Sequence, residues 1–215
     1  MDGCEIRIPR AYEWLYNDIC KAWEMYTNLT LEFVDYQKMW IRDINNYGCL
    51  STNGKIKNKG YFEVEKVIGG EPAYHKDNSF KIVKIALQEH FVNNIPVEKT
   101  IKNHENIYDF CGREKFKGED YGETCILDYD NKGNPYMRIT KQQKNTRYYI
   151  TNKGSTFYKR YAKGTSEVIN KGFEVEIFNK YIEKDMIDYN VNYNYYINLA
   201  NKEIENICSK QMNLF

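Results

Sequence analysis

The alternation of apolar and polar residues changes character several times along the chain, and each change predicts a different element. Residues 4 to 8 (CEIRI) alternate as a strand does, and after them Leu15, Ile19, Trp23 and Tyr26 recur at helical spacing, which predicts a long amphipathic helix. LTLEFVDY (29–36) and KMWIRDINNY (38–47) read as strands. Asn53-Gly54 is a hairpin dipeptide, because the central positions of a two-residue turn require positive φ. From about residue 71 the period lengthens. Ser79 is placed to cap FKIVKIALQEHFVNN, in which Ile82, Ile85, Ala86 and Leu87 build an apolar face. Pro96 falls near the first turn of a second helix, and HENIYDFCG reads as a short helix closed by Gly112. Beyond Glu119 the runs TCILDYD, PYMRI, RYYIT, STFYKRY and FEVEIFN, separated by NKGN and NKG turns, predict a small antiparallel sheet. Tyr193, Ile197, Ala200, Ile204 and Ile207 then line one stripe of a final helix, after which stands QMNLF.

The fold class expected is α+β: a small α/β hairpin unit followed by a helical and antiparallel-β region. A composition shift near residues 60 to 75 is the expected boundary. With 215 residues, 42% of them hydrophobic, and 20 tyrosines against 4 prolines, the chain has the material for a packed core. No apolar run approaches the roughly 20 residues that span a bilayer, and MDGCEIRIPR lacks a signal-peptide layout, so a cytoplasmic protein is expected. The six cysteines show no CxxC or CxxH spacing and the three histidines no HxxxH pairing, which argues against a disulfide framework and a zinc site.

Net charge is only +1, so the distribution of charge matters more than its sum. In a strand reading of KMWIRDINNYG, Lys38, Trp40 and Arg42 share one face, which lets Lys38 and Arg42 meet phosphates together. Asn46 and Tyr47 at the strand end offer an amide and a phenol for minor-groove or sugar contacts. The alternative is a half-exposed sheet face with Arg42 paired to an acid. In GKIKNKG, Lys55, Lys57 and Lys59 project at period two from one face of a hairpin strand, where three like charges favour an anionic partner or water. A solvated edge protected by lysines is the alternative. Lys141, Lys144, Arg147 and Lys153, near Tyr148 and Tyr149, form a weaker second patch. No phosphate-binding glycine loop and no local signature of nucleophilic catalysis is present in the sequence.

The order and wording of these blocks (Met1-Asp2-Gly3, CEIRIP, LTLEFVDY, KMWIRDINNY, GKIKNKGYFE, SFKIVKIALQEHFVNNIPVE, RYYITNKGSTFYK) resemble the run from the motif C aspartate to the end of family-B-like DNA polymerases of bacterial viruses and prophages. The resemblance implies a palm remnant over 1–65 and a thumb-like region over 66–210. It transfers the metal-binding and catalytic aspartate role to Asp2, with Mg2+ as the cofactor of a complemented nucleotidyltransferase. It also makes KMWIRDINNYG the lysine-containing block that steadies primer-template duplex. Methionine stands where the family has threonine, and the motif A aspartate and motif B lysine helix have no counterpart in these residues. Two alternatives follow: a separate polypeptide carries them as the other half of a split enzyme, or the chain is a remnant of gene fragmentation in which Asp2 has no role.

Residues 211–215 look like the pentapeptide that binds the bacterial sliding clamp, with Gln211 offering an amide to the pocket edge while Leu214 and Phe215 fill an apolar cavity. The alternative folds Leu214 and Phe215 back onto the core. The leading expectation is therefore a C-terminal polymerase piece that grips primer-template DNA and tethers to a clamp in the cytoplasm of a bacterial host, without polymerising alone. A non-catalytic DNA- or clamp-binding phage accessory protein is the alternative, and a tyrosine-rich structural or interaction protein a third.

Overall fold

A computed structural model describes residues 6–64, 67–68, 71–72, 79–180 and 189–212. The chain forms two compact units, Met1–Tyr36 and Gln37–Phe215, and the α+β class expected from the sequence holds.

In the first unit a single 3-10 turn at Arg10–Tyr12 leads into helix α1 (Glu13–Thr27). Asn28 adopts the left-handed conformation and donates its N–H to Glu24 O, ending the helix as such a residue commonly does. The predicted strand over 29–36 does not form before Tyr36. That segment instead folds along α1: Leu31 N–H donates to the Glu24 carboxylate at 2.7 Å, and Phe33 meets Tyr16 edge-on at 6.1 Å. Of the strand predicted over 4–8, residues 4 and 5 lie outside the described residues and Ile6–Ile8 have no regular structure.

The second unit opens with the sheet β1 (Tyr36–Asp43), β2 (Asn46–Ser51) and β3 (Ile56–Lys59), in that spatial order. Asn53-Gly54 sits at the β2–β3 turn as its sequence requires, with Gly54 at φ 82°. A two-residue ladder follows, β4 (Val67–Ile68) with β5 (Glu71–Pro72). Then come α2 (Lys81–Asn93), α3 (Val97–Lys102) and α4 (Ile107–Phe110). Two further antiparallel sheets are interleaved along the chain. One has the order β11 (Ser166–Ile169), β10 (Thr156–Arg160), β7 (Tyr121–Tyr129), β8 (Pro135–Lys141); the other has β12 (Glu174–Ile177), β9 (Asn145–Thr151), β6 (Gly112–Lys115). Helix α5 (Tyr193–Met212) closes the unit.

One buried cluster joins all of this. Ile82, Val83, Ala86 and Leu87 of α2, Val97 and Ile101 of α3, Ile107 and Phe110 of α4, Tyr148 to Ile150 of β9 and Tyr196, Ala200 and Ile207 of α5 belong to it, together with Trp40 of β1. Trp40 and Phe62, which precede most of the composition shift at 60–75, lie in the same buried cluster as the helices and strands that follow it. Ser79 does not cap α2. Its hydroxyl accepts from Arg113 N–H, and Phe80, at φ 53°, takes the cap position. The reason is packing, since from there the Phe80 ring reaches Tyr148, Tyr195 and Tyr196 at 5.6–6.1 Å between centroids. Gly112, expected to close a helix, begins β6 because its missing Cβ makes room for the Phe80 and Tyr148 rings.

The polar centre of the core is the Tyr196 hydroxyl. It donates to Phe110 O at 2.9 Å and accepts from Ile150 N–H at 2.8 Å, joining α5, the end of α4 and β9 where none has access to water. Burial keeps this phenol protonated, its pKa well above the ordinary tyrosine value, so it can go on donating. Tyr196→Phe strands one carbonyl and one amide. Equilibrium denaturation of this variant is expected to show a loss of about 1–3 kcal/mol with the secondary structure retained; an unchanged midpoint would mean that the two bonds are not made.

Candidate nucleic-acid interface

The face of β1 that carries Lys38, Trp40 and Arg42 turns toward the core, because Trp40 is the large apolar side chain of that row and is only 1% exposed. Its indole stacks on Phe91 of α2, 5.5 Å between centroids and 6° from parallel. Gly48 of β2 lies flat against the same indole, where a Cβ would overlap it. The two cations beside Trp40 are carried inward with it. Lys38 Nζ donates to Phe91 O and Val92 O at 3.1 Å and to Asn94 Oδ1 at 3.3 Å, so its charge sits on the carbonyl end of α2, where a helix favours a cation. Arg42 lies 4.5 Å over the Tyr61 ring and 3.7 Å from Glu203 of α5, which is the acid-paired alternative for this residue. Burial, with Glu203 adding to it and Arg42 opposing, pushes the Tyr61 hydroxyl up to about 12, so that corner stays a neutral phenol between one cation and one anion.

Asn46 is equally occupied. Its amide donates to both Asp43 carboxylate oxygens, at 2.7 and 2.9 Å, and its Oδ1 accepts from Tyr61 N–H at 2.6 Å, bracing the β1–β2 turn. Gly60, at φ 63°, passes so close to Asn45 O and Asn46 Oδ1 that a side chain would collide there.

The lysines of the β3 hairpin differ in kind. Lys55, Lys57 and Lys59 are exposed. Among the described residues none of the three makes an ion pair. Lys57 stands opposite Cys49 and Lys59 opposite Tyr47, so both project from one face of the sheet. The intervening Asn58 turns the other way and donates to Gln88 of α2 at 2.7 Å, which holds the strand in this rotation. Lys59 Nζ lies 5.7 Å from the Tyr47 ring centroid. The result is a short cationic edge with a tyrosine beside it, on a strand whose orientation is fixed from behind.

The second basic patch does not assemble. Lys144 is tied to Gly118 O and Asp120 O, Arg147 covers Tyr108 at 4.9 Å, Lys141 covers Tyr121 at 4.4 Å, and Tyr148 and Tyr149 are buried. Such cation–aromatic pairing, invisible to spacing rules, recurs at Arg160 over Tyr158 and at Lys159 and Lys163 over Tyr161.

Asp2 lies outside the described residues, as do Leu214 and Phe215. Gln211 is reached by α5, which continues to Met212, so its backbone is helical. Among the described residues no three His, Cys, Asp or Glu side chains come together as metal ligands. The nearest approach to an acid–histidine cluster, Asp109 with His104 at 2.7 Å and Lys81 at 3.8 Å, joins α4 to the start of α2. Among the described residues no helix is long and apolar enough to cross a membrane.

No protein-family model, curated protein or solved structure matches the chain.

The contrast between inward and outward lysines is measurable. Lys38→Met removes charge-assisted bonds from a helix end and is expected to cost about 1–3 kcal/mol in denaturant titration, whereas Lys57→Met should stay within about 0.5 kcal/mol of the parent. Equal effects of the two substitutions would contradict the assigned environments.

Proposed function

We propose that this chain is the duplex-gripping C-terminal part of a family-B-like DNA polymerase, acting as a split subunit or derived fragment that does not polymerise by itself. The observation that carries the reading is the row Lys55, Lys57 and Lys59: three exposed lysines on a rigidly braced hairpin, in the segment where the resemblance puts passing primer phosphates. Phosphate contacts of this kind give affinity and register without reading sequence. Tyr47, beside Lys59, is positioned for a sugar or groove contact at the same edge.

Lys38 and Arg42 enter the proposal differently from the expectation drawn from spacing. They brace β1 against α2 and α5 and so hold the hairpin, while the outward lysines meet the backbone. Asp2 would supply the one motif C carboxylate to a complementing polypeptide bearing motifs A and B, with Mg2+ bound only in that assembly. Gln211, Leu214 and Phe215 would tether the complex to a sliding clamp, raising the local concentration of the polymerase at the primer end. Because α5 runs through Gln211, clamp engagement would require its last turn to open or to present the glutamine from a helix end. A non-catalytic accessory protein that binds DNA and clamp without a partner remains the second reading, favoured by the same lysine edge.

Binding of a labelled primer-template duplex, titrated with salt, tests the proposal. The intact chain should bind with a salt-dependent affinity. Replacing Lys55, Lys57 and Lys59 with Gln should lower the slope of log K against log salt by about 2–3, the value expected for three lost phosphate contacts. Removing residues 211–215 should abolish clamp binding and leave duplex binding unchanged. Absence of duplex binding, or a slope unaffected by the triple substitution, would overturn the assignment of this edge.

A further inference from the structure

Strand β8 ends its sheet. Its sequence, PYMRITK, is exposed at all seven positions, and among the described residues no strand pairs with its outer edge. The hydrogen-bonding phase of that edge follows from two backbone bonds. Asp130 N–H donates to Asn134 O at the turn, and Gln142 N–H donates to Gly122 O at the far end. Both pairs are directly opposite in the β7–β8 register, which also sets Leu127 opposite Met137 and Cys125 opposite Ile139. Hydrogen-bonded pairs alternate in an antiparallel ladder, so Tyr136, Arg138 and Thr140 bond inward to β7. Pro135, Met137, Ile139 and Lys141 point their backbone groups outward. Pro135 therefore sits where its missing N–H removes nothing from the existing ladder.

The same odd-numbered positions carry an apolar face. Leu127 (55% exposed), Tyr129 (61%), Met137 (55%) and Ile139 (58%) form cross-strand neighbours on one side of the hairpin, an amount of solvated apolar side chain that solvent-facing sheets rarely keep. Edges that are meant to stay single usually carry charges or prolines at their outward positions. Here Pro135 and Lys141 occupy only the two ends, and Met137 and Ile139 lie between them.

We propose that β8 is the interface of a twofold homodimer, pairing antiparallel with β8 of a second copy so that two four-stranded sheets become one. The strand is self-complementary in a single full-length register: Met137 faces Ile139 of the second copy, Pro135 faces Lys141, and Arg138 lies on the axis. Every outward N–H of Met137, Ile139 and Lys141 then meets an outward carbonyl, and the two apolar faces merge into one band. The two Arg138 side chains that meet at the axis are each paired with Asp128 of their own chain at 3.1 Å, which lessens their mutual repulsion, and Lys141 falls at the ends of the ladder opposite Pro135. The inference is independent of the polymerase reading.

Light scattering of the full chain over a series from about 1 to about 100 µM should show mass rising from one chain toward two, as a self-association equilibrium requires. Met137→Pro removes only an outward N–H and should leave a monomer whose circular dichroism matches that of the parent. Arg138→Cys, in a Cys4→Ser, Cys208→Ser background, should close a disulfide between the two copies of position 138 under mild oxidation, because that non-hydrogen-bonded pair brings the β-carbons close. A parent that keeps the mass of one chain throughout the series would overturn the proposal. So would a dimer in which Arg138→Cys fails to cross-link, even if Met137→Pro proved unstable.

Discussion

The second unit is organised around a single hydroxyl. A tyrosine in the first turn of a helix, sealed from water, must satisfy its O–H, and Tyr196 does so by bonding a carbonyl at the end of α4 and an amide in β9. Those two groups are 40 residues apart in sequence and belong to different layers, so one side chain fixes where the helical layer ends and where the sheet begins. Around it the rings of Phe80, Phe110 and Tyr195 meet edge to face at 5.2–5.6 Å. That geometry tolerates little rotation, which explains why Phe80 accepts a left-handed backbone and why Gly112 can carry no side chain. Part of the high tyrosine content is interior architecture: Tyr148, Tyr149 and Tyr196 are buried, and Tyr195 packs against the same core.

The same economy sorts the basic residues. A cation next to a large apolar residue on a strand goes where that residue goes. Trp40 draws Lys38 and Arg42 toward α2 and α5, and each finds an internal partner there, a helix terminus for one and Glu203 with Tyr61 for the other. The lysines of β3 have no such neighbour, since Asn58 is the only member of that short strand bonded to α2, and they remain outside. Lys141, Arg147, Lys159, Arg160 and Lys163 lie over tyrosine rings. With a net charge of +1, any electrostatic grip on DNA depends on local geometry, and on the β3 hairpin three exposed lysines stand close together in sequence.

Period and turn chemistry made most of the regular elements legible. The helices over 81–93 and 193–212, the hairpin at Asn53-Gly54 and the strands from 121 to 160 follow directly from spacing and glycine placement. What stayed hidden depends on contacts distant in sequence. The run 29–36 has strand composition but no strand partner, and a carboxylate from α1 claims its backbone instead. Ser79 has capping chemistry, yet a bond to Arg113 N–H and the pull of an aromatic cluster move the cap to Phe80. For the candidate site, alternation placed Lys38, Trp40 and Arg42 together correctly but could not say which face was inside. The exposure of Lys55, Lys57 and Lys59 was readable because an edge hairpin rich in lysine has few ways to bury them. Asp2, Leu214 and Phe215 lie outside the described residues, so their roles rest on resemblance alone.

The central claim is that duplex DNA meets the chain at the β3 edge, on a hairpin held from behind by α2. Hydrogen exchange of backbone amides with and without primer-template duplex tests it most directly, because it locates the contact without altering a residue. Added protection concentrated in residues 46–60, with the β9 and α5 amides already protected in the free protein, is the predicted result. Protection confined to the sheet built from β7, β8, β10 and β11, or none anywhere at a duplex concentration that saturates binding, would contradict it.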